Sequence, residues 1–175
     1  MPIKTIFLDR DGVINKEVNY LHRIEDFEFI AGVFEACAHF IELGYKIIIV
    51  TNQSGIQRGY FKENDYENLS NWMIKQFNKQ GIDILDTFHC PHSPESNCAC
   101  RKPQPGMLIK AKNKHNINMK SSWLIGDKED DIISGTSSGV LNTILVKSGH
   151  KINESASKAK FILNSIHDSI KIIKN

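Results

Sequence analysis

The chain has little net charge, +2 over 175 residues, and no basic stripe with interleaved aromatics, so composition gives no support to nucleic-acid binding. It has no apolar run near the roughly 18–20 residues of a membrane span, which argues against a transmembrane helix. The amino terminus enters an apolar stretch by Ile3 without a charged-then-apolar leader, so a cytoplasmic location is expected. Only four cysteines are present, three of them within eleven residues, which is a poor match to an evenly spread disulfide framework. Internal repeats, linkers and low-complexity segments are also missing. What remains is ordinary for a soluble globular chain, with 41% hydrophobic and 24% charged residues, and the length suits one domain, residues 1–175, better than two.

Short apolar runs alternate with helical patterns. Strands are expected near 3–8, 45–50, 85–89, 122–126 and 142–146, and helices near 32–43, 63–79, 105–116, 129–137 and 164–173. That alternation predicts an α/β fold, a single Rossmann-like three-layer domain with a central parallel sheet. Within the second helix, Tyr66, Leu69, Met73 and Phe77 fall on one face together with Trp72 and Ile74. Cys37 lies at helical spacing with Phe34, Ala38 and Ile41 and reads as a small core residue.

The most informative stretch is Asp9-Arg10-Asp11-Gly12, directly after the apolar run Ile6-Phe7-Leu8. Two carboxylates at the end of a buried strand either line a solvated turn or hold a cation and do chemistry, because unpaired charge beside a core is costly. Three later segments favour chemistry. Thr51-Asn52 ends a second apolar run, Arg101-Lys102-Pro103 supplies cations, and Gly126-Asp127 follows Trp123-Leu124-Ile125 and precedes Asp131. A parallel sheet would bring all of these to one edge.

Together they suit phosphoryl transfer, which needs a nucleophile, a proton donor for the leaving oxygen and positive charge around the phosphoryl oxygens. Asp9 is the candidate nucleophile and Asp11 the candidate acid/base. Thr51 and Lys102 are candidates to meet the phosphoryl group. Magnesium suits the carboxylates, and Asp127 is the expected further ligand.

Asp9-x-Asp11, Thr51, Lys102 and Gly126-Asp127-x-x-x-Asp131, in that order, resemble the haloacid-dehalogenase-like phosphatases over about residues 3–147. The resemblance implies Asp9 as nucleophile, Asp11 as acid/base, and magnesium held by Asp9, the backbone carbonyl of Asp11 and Asp127. Asp131 resembles the second acid of the family, which orients the lysine or a metal-bound water. Many members carry a cap domain inserted after the first acids or before the lysine. Here residues 12–50 and 53–101 leave no room for one, so an open, capless site is expected.

Cys90, His92, Cys98 and Cys100 form a Cys-x-His-x5-Cys-x-Cys array suited to structural tetrahedral zinc, the other reading being a reduced loop with incidental cysteines. Cys100 adjoins Arg101-Lys102, so zinc would fix the loop that carries these cations. Arg58, on a loop after Thr51, suits a phosphate or vicinal hydroxyls, and equally a surface ion pair.

The zinc array, the missing cap and the stretches Asp9 to Asn15, Asp26 to Ile30, Thr51 to Ile56, Arg58-Gly59-Tyr60-Phe61 and Cys100 to Pro103 narrow the resemblance. They are similar to the branch that removes the 7-phosphate of a heptose 1,7-bisphosphate. The departure Ala31-Gly32, where proline-glycine is common, precedes an expected helix and should not affect chemistry. This branch implies a magnesium-dependent enzyme acting on a small sugar bisphosphate, with Asn52 on the phosphate and Ser54, Arg58, Arg101 and Lys128 on the substrate; an open site in a compact single domain suits a monomer. Histidinol-phosphate phosphatases share the acids and the zinc array, and are the alternative; they lack Arg-Gly-Tyr after Thr-Asn-Gln. A polynucleotide 3′-phosphatase is the third reading, disfavoured by the low charge.

Overall fold

Six short strands run parallel in one sheet, and their order carries the functional site. The computed structural model describes residues 1–174. The strands are β1 (Thr5–Leu8), β2 (Lys46–Asn52), β3 (Ile84–Cys90), β4 (Trp123–Gly126), β5 (Asn142–Val146) and β6 (Phe161–Leu163), arranged β3-β2-β1-β4-β5-β6. The helices are α1 (Val33–Glu42), α2 (Glu63–Lys79), α3 (Gly106–His115) and α4 (Glu129–Ser138). Chain order reverses direction between β1 and β4, the kind of switch point at which open α/β sheets leave a crevice at their carboxyl ends.

The strands are apolar on both faces because both faces are covered. Ile6, Leu8, Ile47, Ile49 and Ile125 pack into one core with Leu69, Met73 and Phe77 of α2 and with Ala36, Cys37 and Phe40 of α1. Phe7, Ile48, Val50 and Leu124 point the other way and meet Met107, Leu108 and Ala111 of α3 and Ile132 of α4. This is the three-layer α/β domain expected from the sequence. Cys37 is fully buried, and burial pushes its thiol well above the ordinary range. Residues 12–50 hold a loop, α1 and β2, and residues 53–101 hold α2, β3 and the cysteine-rich loop.

Two expectations differ. β6 was not anticipated, because three half-exposed residues are too short a run to show a period. The helix expected at 164–173 is a 3-10 helix, Ile166–Lys171, in which Ser169 Oγ donates to Ile166 O at 2.5 Å and so competes with the backbone for that acceptor.

Candidate active site

Asp9 is the first residue past β1, and its backbone N–H donates to Ile125 O of β4 at 3.0 Å. This bond extends the β1–β4 ladder across the switch point and sets Asp9 beside the end of β4, where Asp127 stands. Gly12 turns the chain with φ +85°, and a Cβ there would lie 2.3 Å from Asp127 Oδ2. Only glycine allows the acid loop to rest against Asp127.

Lys102 reaches this edge from the far side. Its ammonium donates to Asp9 Oδ1 at 2.9 Å and Val50 O at 2.8 Å and pairs with Asp131 Oδ1 at 2.6 Å, with the side chain only 3% exposed. All three protons are engaged, so the lysine acts here as a buried charge beside the nucleophile. Burial opposes that charge, but the Asp131 and Asp9 carboxylates outweigh it and raise the lysine pKa. Asp9 is pushed well above the ordinary carboxyl range, first by burial; Lys102 pulls it down, while Asp131, Asp127 and Asp11 push it further up. The four acids therefore exceed the positive charge that Lys102 supplies.

Asp131 orients the lysine and also ties the start of α4. Its Oδ2 accepts the backbone N–H groups of Asp127 (3.1 Å) and Lys128 (3.0 Å). Asp127 is wholly buried. Its Oδ2 accepts from His150 N at 2.9 Å and is bonded to His150 Nδ1 at 2.6 Å, whereas its Oδ1 has no partner among the described residues. A buried, unpartnered carboxylate oxygen is costly unless a cation completes it. Carboxylate oxygens of Asp9, Asp127 and Asp131 lie within 4.8 Å of one another. Since both oxygens of Asp131 are already bonded, Asp9 and Asp127 fit a hard, oxygen-ligated cation such as magnesium.

The Asp11 carboxylate stands outside that cluster. Buried Arg10 grips it through Nη2 at 3.0 and 3.1 Å, Asn15 Nδ2 donates at 3.0 Å, and Gln53 Nε2 donates at 3.1 Å. Gln53 Nε2 also donates to Thr51 Oγ1 at 2.8 Å, which turns the hydroxyl proton of Thr51 away from the amide. One side-chain amide thus joins the candidate acid/base to the candidate phosphate-binding hydroxyl. Asn52 lines the cleft, but its amide clasps the lysine loop: Nδ2 donates to Lys102 O at 3.1 Å and Oδ1 accepts from Lys102 N at 3.0 Å.

These groups open into a cleft of about 260 Å³ that is also lined by Ser54, Arg58, Arg101, Lys128 and His150. Arg58 makes only a long contact of 3.9 Å to exposed Glu95, and Arg101 is anchored by Nη1 to His92 O at 3.2 Å. Two loops form the lip, meeting through an edge-to-face contact of Tyr20 and Tyr60 with ring centroids 4.5 Å apart.

At the end of β3, the cysteine-rich loop draws four ligand atoms together. Cys90 Sγ lies 3.1 Å from Cys100 Sγ and 3.6 Å from Cys98 Sγ, Cys98 and Cys100 are 3.5 Å apart, and His92 Nδ1 is 3.5 Å from Cys90 and 3.3 Å from Cys100. Zinc bonds of about 2.3 Å to sulfur would place tetrahedral sulfurs about 3.8 Å apart, so small outward shifts admit the ion. Burial works against ionising the Cys98 thiol, but the Arg101 N–H and the Cys100 and Cys90 thiols bring its pKa down to about 6. Cys90 is pushed up, chiefly by burial.

The sequence motifs converge as expected, but three residues had drawn no role: Gln53, Arg10 and His150. A usable signal existed for two of them. Gln53 directly follows the end of β2, and His150 follows the end of β5, so topology alone puts both at the carboxyl edge of the sheet.

A carboxylate pair at one strand end, an acid at the neighbouring strand end and a buried lysine between them define a phosphohydrolase of the haloacid-dehalogenase-like class. In agreement, residues 99–171 match the HAD-hydrolase-like family model. The chain is 47% identical over 179 residues to D-glycero-alpha-D-manno-heptose-1,7-bisphosphate 7-phosphatase of Photorhabdus laumondii, covering 98% of this chain and 97% of that protein. It is 43% identical over 178 residues to the beta-anomer enzyme of Pasteurella multocida, with 98% and 97% covered. A crystal structure of D,D-heptose 1,7-bisphosphate phosphatase from B. bronchiseptica, complexed with magnesium and phosphate, superposes with a TM-score of 0.85 at 24% identity over 97% of each chain, which establishes the shared fold. The chain belongs to the D-glycero-D-manno-heptose-1,7-bisphosphate 7-phosphatase family.

Proposed function

We propose that the chain removes the 7-phosphate of D-glycero-D-manno-heptose 1,7-bisphosphate, a step toward nucleotide-activated heptose for lipopolysaccharide. The observation that carries this reading is the buried Asp127 Oδ1, without a partner among the described residues, on a carboxylate clustered with that of Lys102-paired Asp9 in an open, cation-lined cleft. In this reading Asp9 attacks phosphorus and forms an aspartyl-phosphate as the O7–phosphorus bond breaks. Asp11 gives its proton to the departing O7, then takes one from the water that cleaves the aspartyl-phosphate. Asp9, the main-chain carbonyl of Asp11 and Asp127 would hold magnesium, which when bound offsets the negative charge of the acids and the phosphate. Lys102 holds Asp9 in place, and Thr51, its hydroxyl oriented by Gln53, donates to a phosphoryl oxygen. Asn52 supports both by fixing the Lys102 backbone. Ser54, Arg58, Arg101 and Lys128 contact the sugar and its second phosphate.

The Cys90, His92, Cys98 and Cys100 cluster holds a structural zinc ion in this proposal, and stiffens the loop that presents Arg101 and Lys102. The chain acts as one domain, as a monomer, in the cytoplasm. No described helix is long and apolar enough to cross a membrane.

A substrate panel tests the reading. It contains both anomers of the heptose bisphosphate, because relatives with each anomer in their names are present at similar identity, together with histidinol phosphate, fructose 1,6-bisphosphate and a 3′-phosphorylated oligonucleotide. Heptose bisphosphate is expected to give the highest kcat/KM, and only with magnesium. Preference for histidinol phosphate, or full turnover without a divalent ion, would reject it.

A further inference from the structure

His150 stands at the mouth of the cleft, on the loop that leaves β5, and it grips Asp127 twice. Its backbone N–H donates to Asp127 Oδ2 at 2.9 Å, and its ring Nδ1 lies 2.6 Å from the same oxygen. The neighbouring residue makes this approach possible. A Cβ at position 149 would stand 2.0 Å from Asp127 Oδ2, so only glycine lets the backbone of residues 149–150 lie against the carboxylate. Ser148 fastens the loop from the other side, with Oγ donating to Gly12 O at 2.7 Å.

The consequence falls on the opposite oxygen. With both donors on Oδ2, rotation of the Asp127 carboxylate about its Cβ–Cγ bond is blocked, and Oδ1 is left buried and unpartnered. A free carboxylate chooses among several orientations, whereas a carboxylate held by two donors presents one fixed oxygen and loses less freedom when an ion arrives. The imidazole does more than fill space. It is 37% exposed and so gains little from burial, yet it makes the shortest polar contact of the Asp127 side chain. Its other nitrogen, Nε2, faces Glu17 Oε1 at 3.7 Å, which is beyond a direct hydrogen bond and leaves the ring oriented between β4 and the loop that follows the acid pair.

We infer that His150 is a positioning residue for the divalent-ion site: its Nδ1–H and backbone N–H lock the Asp127 carboxylate so that Oδ1 faces the ion. The inference deepens the proposed function, because it rests on Asp127 as a magnesium ligand. It assigns His150 no contact with the reacting phosphorus.

The test is magnesium binding to the purified, zinc-loaded protein, followed by calorimetry in the absence of substrate, for wild type and for His150→Ala and His150→Asn. Asparagine can place an amide N–H near the position of Nδ1–H, and alanine cannot. His150→Ala is expected to weaken magnesium binding about 10–100-fold, the range usual for loss of a partner that orients a metal ligand. His150→Asn is expected to stay within about threefold of wild type, because the donor to Oδ2 is kept. The melting temperature without magnesium should fall modestly in His150→Ala, which loses one donor to the buried Asp127 carboxylate but keeps the backbone N–H, and less in His150→Asn. Unchanged magnesium affinity in His150→Ala, or equal weakening in both variants, would overturn the inference while leaving the magnesium site itself in place. Failure of the wild type to bind magnesium at all would overturn the inference and the catalytic reading together.

Discussion

The strand-edge acids and the cysteine-rich loop are both clusters of potential anions, yet they are built in opposite ways. The acids come from two separate stretches of chain, residues 9–11 and 127–131, and the lysine from a third. The sheet brings them together, and Gly12, Gly126 and Gly149 allow the close approaches; a Cβ at Gly126 would lie 2.2 Å from Asp131 Cβ. Their charge is partly balanced from within by Lys102. The thiols come from one stretch of eleven residues, with a 3-10 turn of Pro94–Ser96 as the sole regular element between them, and among the described residues no lysine or arginine side chain is bonded to their sulfurs. The first site is held by the fold and offers a place to an ion; in the proposed reading the second is held by its zinc ion. A preorganised site tolerates ion removal, whereas an ion-organised one does not.

The largest expected effect separates chemistry from structure at the first site. Asp9→Asn should lower kcat at least about 10³-fold while far-UV circular dichroism and melting temperature change little, because the amide keeps the shape and loses the nucleophile. Normal turnover in that variant would end the nucleophile assignment. Lys102→Met should act on stability as well as rate. Removing a buried cation between Asp9 and Asp131 leaves carboxylates unpaired, and should cost about 3–5 kcal/mol in denaturant unfolding. A melting curve equal to wild type would show that the acids do not depend on internal compensation.

At the second site, Cys100→Ser should reduce zinc content and lower kcat about tenfold through displacement of Arg101 and Lys102, and magnesium affinity should shift as well, because Lys102 holds Asp9. Elemental analysis and a magnesium titration check this; a zinc-free protein of full activity would separate the loop from catalysis. A smaller effect is expected from Gln53→Leu. If its amide orients Asp11, kcat/KM should fall about tenfold for a sugar phosphate, whose leaving oxygen needs a proton, and less for 4-nitrophenyl phosphate, whose leaving group does not. Equal losses on both would assign Gln53 to Thr51 alone.

The smallest effect is on pH dependence. A carboxyl whose folded pKa is raised, as for Asp9, binds its proton more tightly folded than unfolded. Stability of the magnesium-free protein should therefore decline as pH rises from the ordinary carboxyl range through that raised value. Saturating magnesium, which requires the ionised acids, should reduce or reverse the slope. Urea unfolding at about pH 5 and about pH 8, with and without magnesium, reads this directly, and a rising slope without magnesium would contradict it.

How much of this was legible in the chain follows the same division. The Cys-x-His-x5-Cys-x-Cys array could be read from spacing, because eleven residues confine its ligands whatever the rest of the fold does. By spacing, Asp9 and Asp127 could be read only as acids at the ends of apolar runs and Lys102 only as a cation beside the cysteine array; their meeting required a parallel sheet, and the sheet order supplied it. Asn52 carries a part that its motif did not show: the resemblance implies a place on the phosphate, and folding also gives its side chain a clasp on the Lys102 backbone. Gln53 and Arg10 sat inside quoted motifs without a part to play, since nothing in a linear pattern says which way a side chain turns. β6 escaped because three half-exposed residues show no clear alternation, and the last helical segment, expected over 164–173, is a 3-10 helix because hydrophobic period does not separate the two helix types in so short a run.

The sequence by itself determined the strand–helix alternation, the two sets of candidate ligands and the order in which chemistry-bearing residues arrive. Those properties are local, set by hydrophobic period and residue type. Tertiary structure alone decided that Asp131 serves Lys102, that the Asp11 carboxylate stands apart from the other acids, and that one oxygen of Asp127 is left free while His150 holds the other. Hydrogen bonds between residues 23 positions apart, as for Asp127 and His150, or 93 apart, as for Asp9 and Lys102, depend on ångström-scale geometry, and that geometry exists only once both layers of helices have packed against the sheet.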